Sequence, residues 1–284
     1  MPRRHWEELP HGVRRDVEQH TGLIRTASMI PAGAASDIAV ALDTDAGPVF
    51  CKGGEVDGPF GWLYRNEARV NPWLPAVAPR LLWTVERDGW LLLGFEHAPG
   101  RHPELAPGSP DLAPLAALLG DLARQLTPCP PIAVPSFADR WRMLIAPELV
   151  DGDTLLHTDM TPRNFLIETR SGGDTGEAPT IRLVDWSGPA RGAAWIDTAL
   201  LLLRLIRAGH EPVVAEKWGR QVPAFAEAPE AAVTAFAEAL VVLWQRKQQA
   251  APAPHHGPIL DAARRWAAHR ACPHRRGSST ASAA

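Results

Sequence analysis

Apolar positions change period along the first third of the chain. Trp6, Leu9, Val13 and Val17 recur every three or four residues, the spacing of one helix face, and predict a helix over 5–20. From about residue 22 the period shortens to that of strands. Ile38, Val40 and Leu42 fall on alternate positions in SDIAVALDT, Asp45-Ala46-Gly47 marks a turn, and PVFCK follows as the returning strand. GEVDGP reads as a loop and FGWLYRNEARVNPWL as a helix ended near Pro72, whose ring restricts the residue before it. RLLWTVERDGWLLLGFEHAPG then holds two apolar runs joined at Arg87-Asp88-Gly89, a hairpin signature.

After residue 97 the texture changes. APGRHPELAPGSPD is rich in Pro and Gly, and the lobe boundary is expected near residue 98. LAPLAALLGDLARQL, FADRWRMLI, WIDTALLLLRLIRAG, PEAAVTAFAEALVVLWQRK and ILDAARRWAAHR carry helical spacing. One interruption stands among them. LLHTDMTPRNFLI has strand-like apolar ends around His157, Asp159 and Asn164, and after TRSGGDTGEAPT, a flexible turn region, comes a further strand, IRLVDW. The order predicts an α+β chain: a strand-rich lobe over 1–97, a mostly helical lobe with one small β insertion over 98–272, and a disordered tail over 273–284.

Composition removes several classes of function. A net charge of −3 over 284 residues leaves no electrostatic footprint for nucleic acid or an anionic membrane. No apolar run approaches the roughly 18–20 residues needed to cross a bilayer. MPRRHWEELPHGVRRDVEQH lacks the apolar segment of a secretory signal. Cys51, Cys129 and Cys272 are too far apart for a zinc site or a disulfide framework, so a reduced, cytoplasmic setting is expected. Lysine is scarce in a chain that otherwise uses arginine: Lys52, Lys217 and Lys247 are its lysines.

The polar residues inside the β insertion need an explanation. Asp159 and Asn164 lie in a loop between strands, and Asp185 ends the apolar strand IRLVD. Two carboxylates and an amide at one hairpin edge are costly unless a cation sits among them, and so few hard oxygens suit Mg²⁺ that keeps water and phosphate as further ligands. His255-His256 has no matching ligands nearby in the sequence and reads as a loop feature.

HTDMTPRN followed by VDWSG, with Asp197 in AAWIDTALLL a dozen residues on, resembles the aminoglycoside phosphotransferase family of small-molecule kinases, which have a protein-kinase-like two-lobe fold. The resemblance covers roughly residues 25–270 and is sharpest over 155–200. It implies that Asp159 takes or orients the proton of an attacking hydroxyl. Asn164 and Asp185 would hold Mg²⁺ on the triphosphate of ATP. His157 would buttress the loop and Asp197 would tie it in place. Lys52 at the end of PVFCK would bind phosphates and pair with Glu67 in LYRNEARV. IPAGAASDIAV would be the loop over the phosphates, with Gly33 and the Ser36 hydroxyl in it, although Ala34 and Ala35 stand where a second glycine is usual. The backbones of Glu96 and Ala98, in LLLGFEHAPG, would hold adenine.

The resemblance thus implies ATP- and Mg²⁺-dependent phosphorylation of a hydroxylated small molecule, an aminoglycoside or another compound. Glu211, Glu216, Glu227 and Glu230 occur where a polycationic acceptor would be bound, but Arg204, Arg207, Lys217 and Arg220 interleave with them, so the sequence holds no clear cation trap. A different class of function is a nucleotide-binding switch or partner module without transfer. The reduced glycine loop favours it; the complete set of Lys52, Glu67, Asp159, Asn164 and Asp185 opposes it. A metal-dependent phosphoesterase would call for more clustered histidines than the chain has.

Overall fold

Pro10 cannot continue a helix from its own N–H, so the first apolar stripe is split in two. A short 3₁₀ turn covers Trp6–Glu8 and α1 covers His11–Thr21, yet Trp6, Leu9, Val13 and Val17 are all buried as one row. The computed structural model describes residues 4–30, 36–168 and 180–271. The loop expected over the phosphates around Gly33, the expected turn region after Glu168 and the tail from 273 onward lie outside the described residues. The chain continues through β1 (Ile24–Met29), β2 (Ile38–Thr44), β3 (Gly47–Glu55), α2 (Gly61–Val70), β4 (Leu81–Arg87) and β5 (Trp90–Glu96). Next come α3 (Leu112–Gln125), α4 (Phe137–Trp141), β6 (Thr154–Leu156), β7 (Phe165–Ile167), β8 (Ile181–Leu183) and β9 (Ala190–Gly192). The last elements are α5 (Ile196–Arg207), α6 (Pro212–Gly219), α7 (Pro223–Ala226), α8 (Glu230–Ala250) and α9 (His256–Ala271).

These elements form two compact units. The first comprises Met1–Pro103, Pro130–Val134 and Pro162–Pro189; the second comprises Glu104–Cys129, Pro135–Thr161 and Ala190–Ala284. The first unit is built on an antiparallel sheet in the order β1-β2-β3-β5-β4. The β4–β5 hairpin turns through Asp88 (φ 50°) and Gly89 (φ 77°), the left-handed pair that a two-residue turn requires. Strand alternation gives the sheet two apolar faces. Val49, Cys51, Trp90 and Leu92 join α1 on one, and Leu91, Leu93 and Phe95 join Tyr64 of α2 on the other. Gly94 faces Trp83 across the strands; a Cβ there would collide with the indole, so only glycine lets the ring lie against the sheet. The β7–β8 hairpin completes this unit, with Ile167 bridged to Arg101.

The second unit is helical. The run LLLLRLI makes α5 apolar on nearly every side, which is the pattern of a helix packed all round, and Leu201, Leu202, Leu203 and Leu205 are buried. Phe236 of α8 stacks on Trp141 and meets the edge of Trp195, and α8 packs along α9. The single β insertion expected from the sequence is in fact two strand pairs, β6–β9 in the second unit and β7–β8 in the first. The ends of LLHTDMTPRNFLI therefore do not pair with each other. Strand β9 reads Ala-Arg-Gly, too short and too weakly apolar to announce itself. No helix among the described residues is long and apolar enough to cross a membrane.

Candidate functional site

Lys52 is the sixth residue of β3 and shares a sheet face with Phe50, the face covered by α2. On α2, Tyr64, Glu67 and Val70 recur every three residues and form its buried stripe. Period two on the strand and the helical period on α2 thus aim an ammonium and a carboxylate at each other. Nζ of Lys52 lies 2.6 Å from Oε2 of Glu67 and donates to Oδ1 of Asp185 at 2.8 Å, with the Phe95 ring 5.9 Å away. The side chains of Lys52 and Glu67 are 7% and 5% exposed, whereas that of Asp185 is 38% exposed. Burial disfavours the Lys52 ammonium, but the Asp185 and Glu67 carboxylates outweigh it and hold its pKa above the ordinary range. Burial pushes the Glu67 carboxyl up, to about 7, against the pull of Lys52 and a backbone hydrogen bond from Trp186.

Asn164 and Asp185 stand at one end of the β7–β8 hairpin. Phe165 and Leu183 are the paired residues nearest that end, and the Val184 N–H donates to the Asn164 carbonyl at 2.8 Å. Asp185 then departs from the strand with φ 66°, a left-handed conformation that Asp tolerates better than most residues. Trp186 anchors the turn, buried, with its indole N–H given to the Leu183 carbonyl at 3.1 Å. Among the described residues no group of three or more His, Cys, Asp or Glu is arranged to hold a metal. A carboxylate and an amide oxygen at one hairpin end nevertheless fit Mg²⁺, which binds through one or two protein oxygens plus water and phosphate and resists full enclosure by protein.

Three more residues expected to meet the nucleotide lie in the same unit. The Ser36 hydroxyl bonds to the Tyr64 hydroxyl, which also receives the Asp37 N–H. Glu96 closes β5; its N–H donates to the Arg80 carbonyl, and its carboxylate accepts the Arg80 N–H at 3.1 Å. Ala98 follows in the irregular segment between β5 and Arg101.

His157, Asp159 and Asp197 belong to the second unit. Asp197, in the first turn of α5, accepts the N–H of His157 on Oδ2 at 2.8 Å and the N–H of Thr158 on Oδ1 at 2.9 Å. His157 is fully buried, and its Nδ1 accepts the Asp159 N–H at 3.2 Å. Between them Thr158 holds φ 69°, unusual for a β-branched residue, and Arg140 donates to its hydroxyl at 3.4 Å. Burial raises the Asp197 carboxyl pKa against the lowering effect of His157 and the two amides. The loop carrying Asp159 is therefore tied through its backbone to α5.

One part of this region escaped the sequence reading. Arg204 of α5 and Lys247 of α8 both lie over the Trp244 ring, at 5.6 and 4.7 Å from its centroid. The scarcity of lysine, used above for Lys52, is the signal that would have singled out Lys247.

No protein-family model matches the sequence, and no curated protein matches it. Solved structures share its fold at low identity. A microcompartment-associated aminopropanol kinase aligns with a TM-score of 0.58 at 12% identity, over 92% of this chain and 97% of that one. LicA in complex with AMP aligns at 0.58 and 11%, over 92% and 100%. A thermostable mutant of the aminoglycoside phosphotransferase APH(4)-Ia, in ternary complex with AMP-PNP and hygromycin B, aligns at 0.52 and 13%, over 89% and 98%. The chain has the kinase-like fold that aminoglycoside phosphotransferases share with other small-molecule kinases.

Proposed function

We propose that the chain is an ATP-dependent phosphotransferase that moves the γ-phosphoryl group to a hydroxyl of a small molecule. The observation that carries this reading is Lys52, a buried ammonium held between Glu67 and Asp185. A phosphate group arriving at Lys52 would replace the partly exposed Asp185 as its partner while Glu67 keeps the ammonium aimed. The nucleotides bound by LicA and APH(4)-Ia, and the amino alcohol implied by the name of the aminopropanol kinase, agree in kind with this reading.

In this mechanism the first unit takes the nucleotide and Lys52 neutralises its phosphate oxygens. Ser36 and the loop around Gly33 cover the phosphates, and the backbones of Glu96 and Ala98 meet the adenine. Asn164 and Asp185 would hold Mg²⁺, which when bound shields the charge of the triphosphate. Asp159 accepts the proton of the acceptor hydroxyl as the acceptor oxygen bonds to the γ-phosphorus. The bond from that phosphorus to the β-γ bridging oxygen breaks, and ADP leaves with the electron pair. His157 and Asp197 keep Asp159 in position through the loop backbone.

Replacing Asp159 by Asn tests the assignment, since Asn fills the same space and accepts no proton. With a panel of hydroxylated acceptors, acceptor-dependent ADP release should fall by about 10²-fold or more, with AMP-PNP affinity within twofold of wild type. Turnover retained within a few fold would remove Asp159 from the role. Nucleotide binding without acceptor-dependent ADP release in the wild type would favour a binding module instead.

A further inference from the structure

Three of the four acids expected to bind a polycationic acceptor are matched within the second unit itself. Glu211 pairs with Arg265 at 3.1 Å. Glu216 takes the Arg270 guanidinium at 3.0 Å and the Trp266 indole N–H at 2.8 Å. Glu230 is bound by both Arg270 and Arg220. Glu227 is exposed. Glu211, Glu216 and Glu230 are neutralised by guanidinium groups, and a polycation would have to displace them.

Around Asp159 the sign is reversed. Arg204 and Lys247 share the Trp244 ring, and among the described residues neither has a carboxylate within ion-pair distance. Arg207 follows Arg204 by three residues on α5, and His255 meets the same indole edge-on at 6.4 Å. One indole ring offsets two cations only partly, at about 0.5–1 kcal/mol each where solvent reaches them. Burial lowers the pKa of both Arg204 and Lys247; the Asp159 charge pulls each back up, and a neighbouring cation, Arg207 for Arg204 and Arg204 for Lys247, lowers it by less. His255 is also lowered, first by burial and then by His256, Arg207, Arg204 and Lys247. Cations gathered beside a single carboxylate form a site awaiting an anion.

We infer that the acceptor is a hydroxyl compound bearing an oxyanion, carboxylate or phosphate, which Arg204 and Lys247 bind while Asp159 faces its hydroxyl. The inference rests on the phosphotransferase reading only in assigning the hydroxyl to Asp159. Trp244 supplies the wall that holds both cations, and the anion replaces the solvent that now screens them.

Calorimetric titrations with glycerate, glycerol 3-phosphate, glycerol, ethanolamine and hygromycin B test this, each with and without AMP-PNP and Mg²⁺. These compounds separate carboxylate, phosphate, neutral and cationic acceptors. At least one of the two anions should bind wild type saturably and more tightly than glycerol, ethanolamine or hygromycin B. Arg204→Gln and Lys247→Gln should each weaken that binding by about tenfold or more, the worth of one charge-assisted hydrogen bond, with AMP-PNP affinity unchanged. Lys247 is exposed as a residue, although its ammonium over Trp244 is partly desolvated, so its variant reads the site even if the half-buried Arg204 variant unfolds. Anion affinity equal in wild type and Lys247→Gln, no saturable binding of either anion, or tighter binding of ethanolamine or hygromycin B would overturn the inference. Failure of AMP-PNP to bind would count against the phosphotransferase reading alone, because the titrations without nucleotide still report on the anion site.

Discussion

Asp185 combines two demands that single substitutions can separate. Its backbone adopts φ 66°, and its carboxylate takes one side of Lys52. Asn tolerates the left-handed region nearly as well as Asp, so Asp185→Asn should keep the turn, and Glu67 still pairs Lys52. Urea unfolding should place this variant within about 1 kcal/mol of wild type, while AMP-PNP affinity in Mg²⁺ falls by about tenfold or more. Asp185→Val puts a β-branched side chain at the same φ and should lose a further 1–2 kcal/mol, roughly the strain of that conformation. Equal stability of the two variants would show that the backbone at 185 relaxes freely. The grouping of Lys52 with Glu67 and Asp185 was legible because each is tied to a regular element: the interior of β3, the buried stripe of α2 and the turn just past β8. Arg204 and Lys247 were not. A charge tally along the chain cannot show that Glu211, Glu216 and Glu230 are matched by Arg265 and Arg270 from a different helix.

Helix α5 secures the Asp159 loop through one side chain. Asp197 accepts two backbone N–H groups, and the one from His157 comes from a fully buried residue with no solvent to turn to. Asp197→Asn retains one acceptor and presents an N–H₂ to the other donor. The expected cost is roughly 1–3 kcal/mol, that of a buried donor left unmatched. Hydrogen exchange at the His157 and Thr158 amides should quicken, and turnover should drop with the KM for nucleotide unchanged, since Lys52, Glu67 and Asp185 belong to the other unit. A raised nucleotide KM with undisturbed exchange would place Asp197 in nucleotide binding instead. The long elements were readable because period two and the helical period persist through many residues, as in β2, α5 and α8. Strand β9 escaped because three residues of Ala-Arg-Gly carry no period, and its pairing with β6 is decided by chain that lies far away in sequence.

For the whole molecule, nucleotide binding should appear as stability. A ligand that binds the folded state alone adds RT ln(1 + [L]/Kd), about 2.7 kcal/mol at a hundredfold excess over Kd. In a protein of this size each kcal/mol raises the unfolding midpoint by roughly 2–4 °C, so saturating AMP-PNP with Mg²⁺ should raise it by about 5–10 °C. The α+β order of the chain foretold an antiparallel sheet followed by a helical part, but not that Pro162–Pro189 returns to the first unit. That return places Asn164 and Asp185 in the same unit as Lys52. A scan in which separate segments unfold at different temperatures should therefore show the nucleotide shift in the transition that contains the five-stranded sheet. Asp185→Asn, which keeps the turn and loses the carboxylate, should reduce the shift to a degree or two. If wild type and this variant shift equally, the nucleotide binds without Asp185 and the metal assignment fails. If neither shifts, the Lys52 cluster is a structural ion pair, and the anion site beside Asp159 becomes the part of the molecule from which a function must be sought.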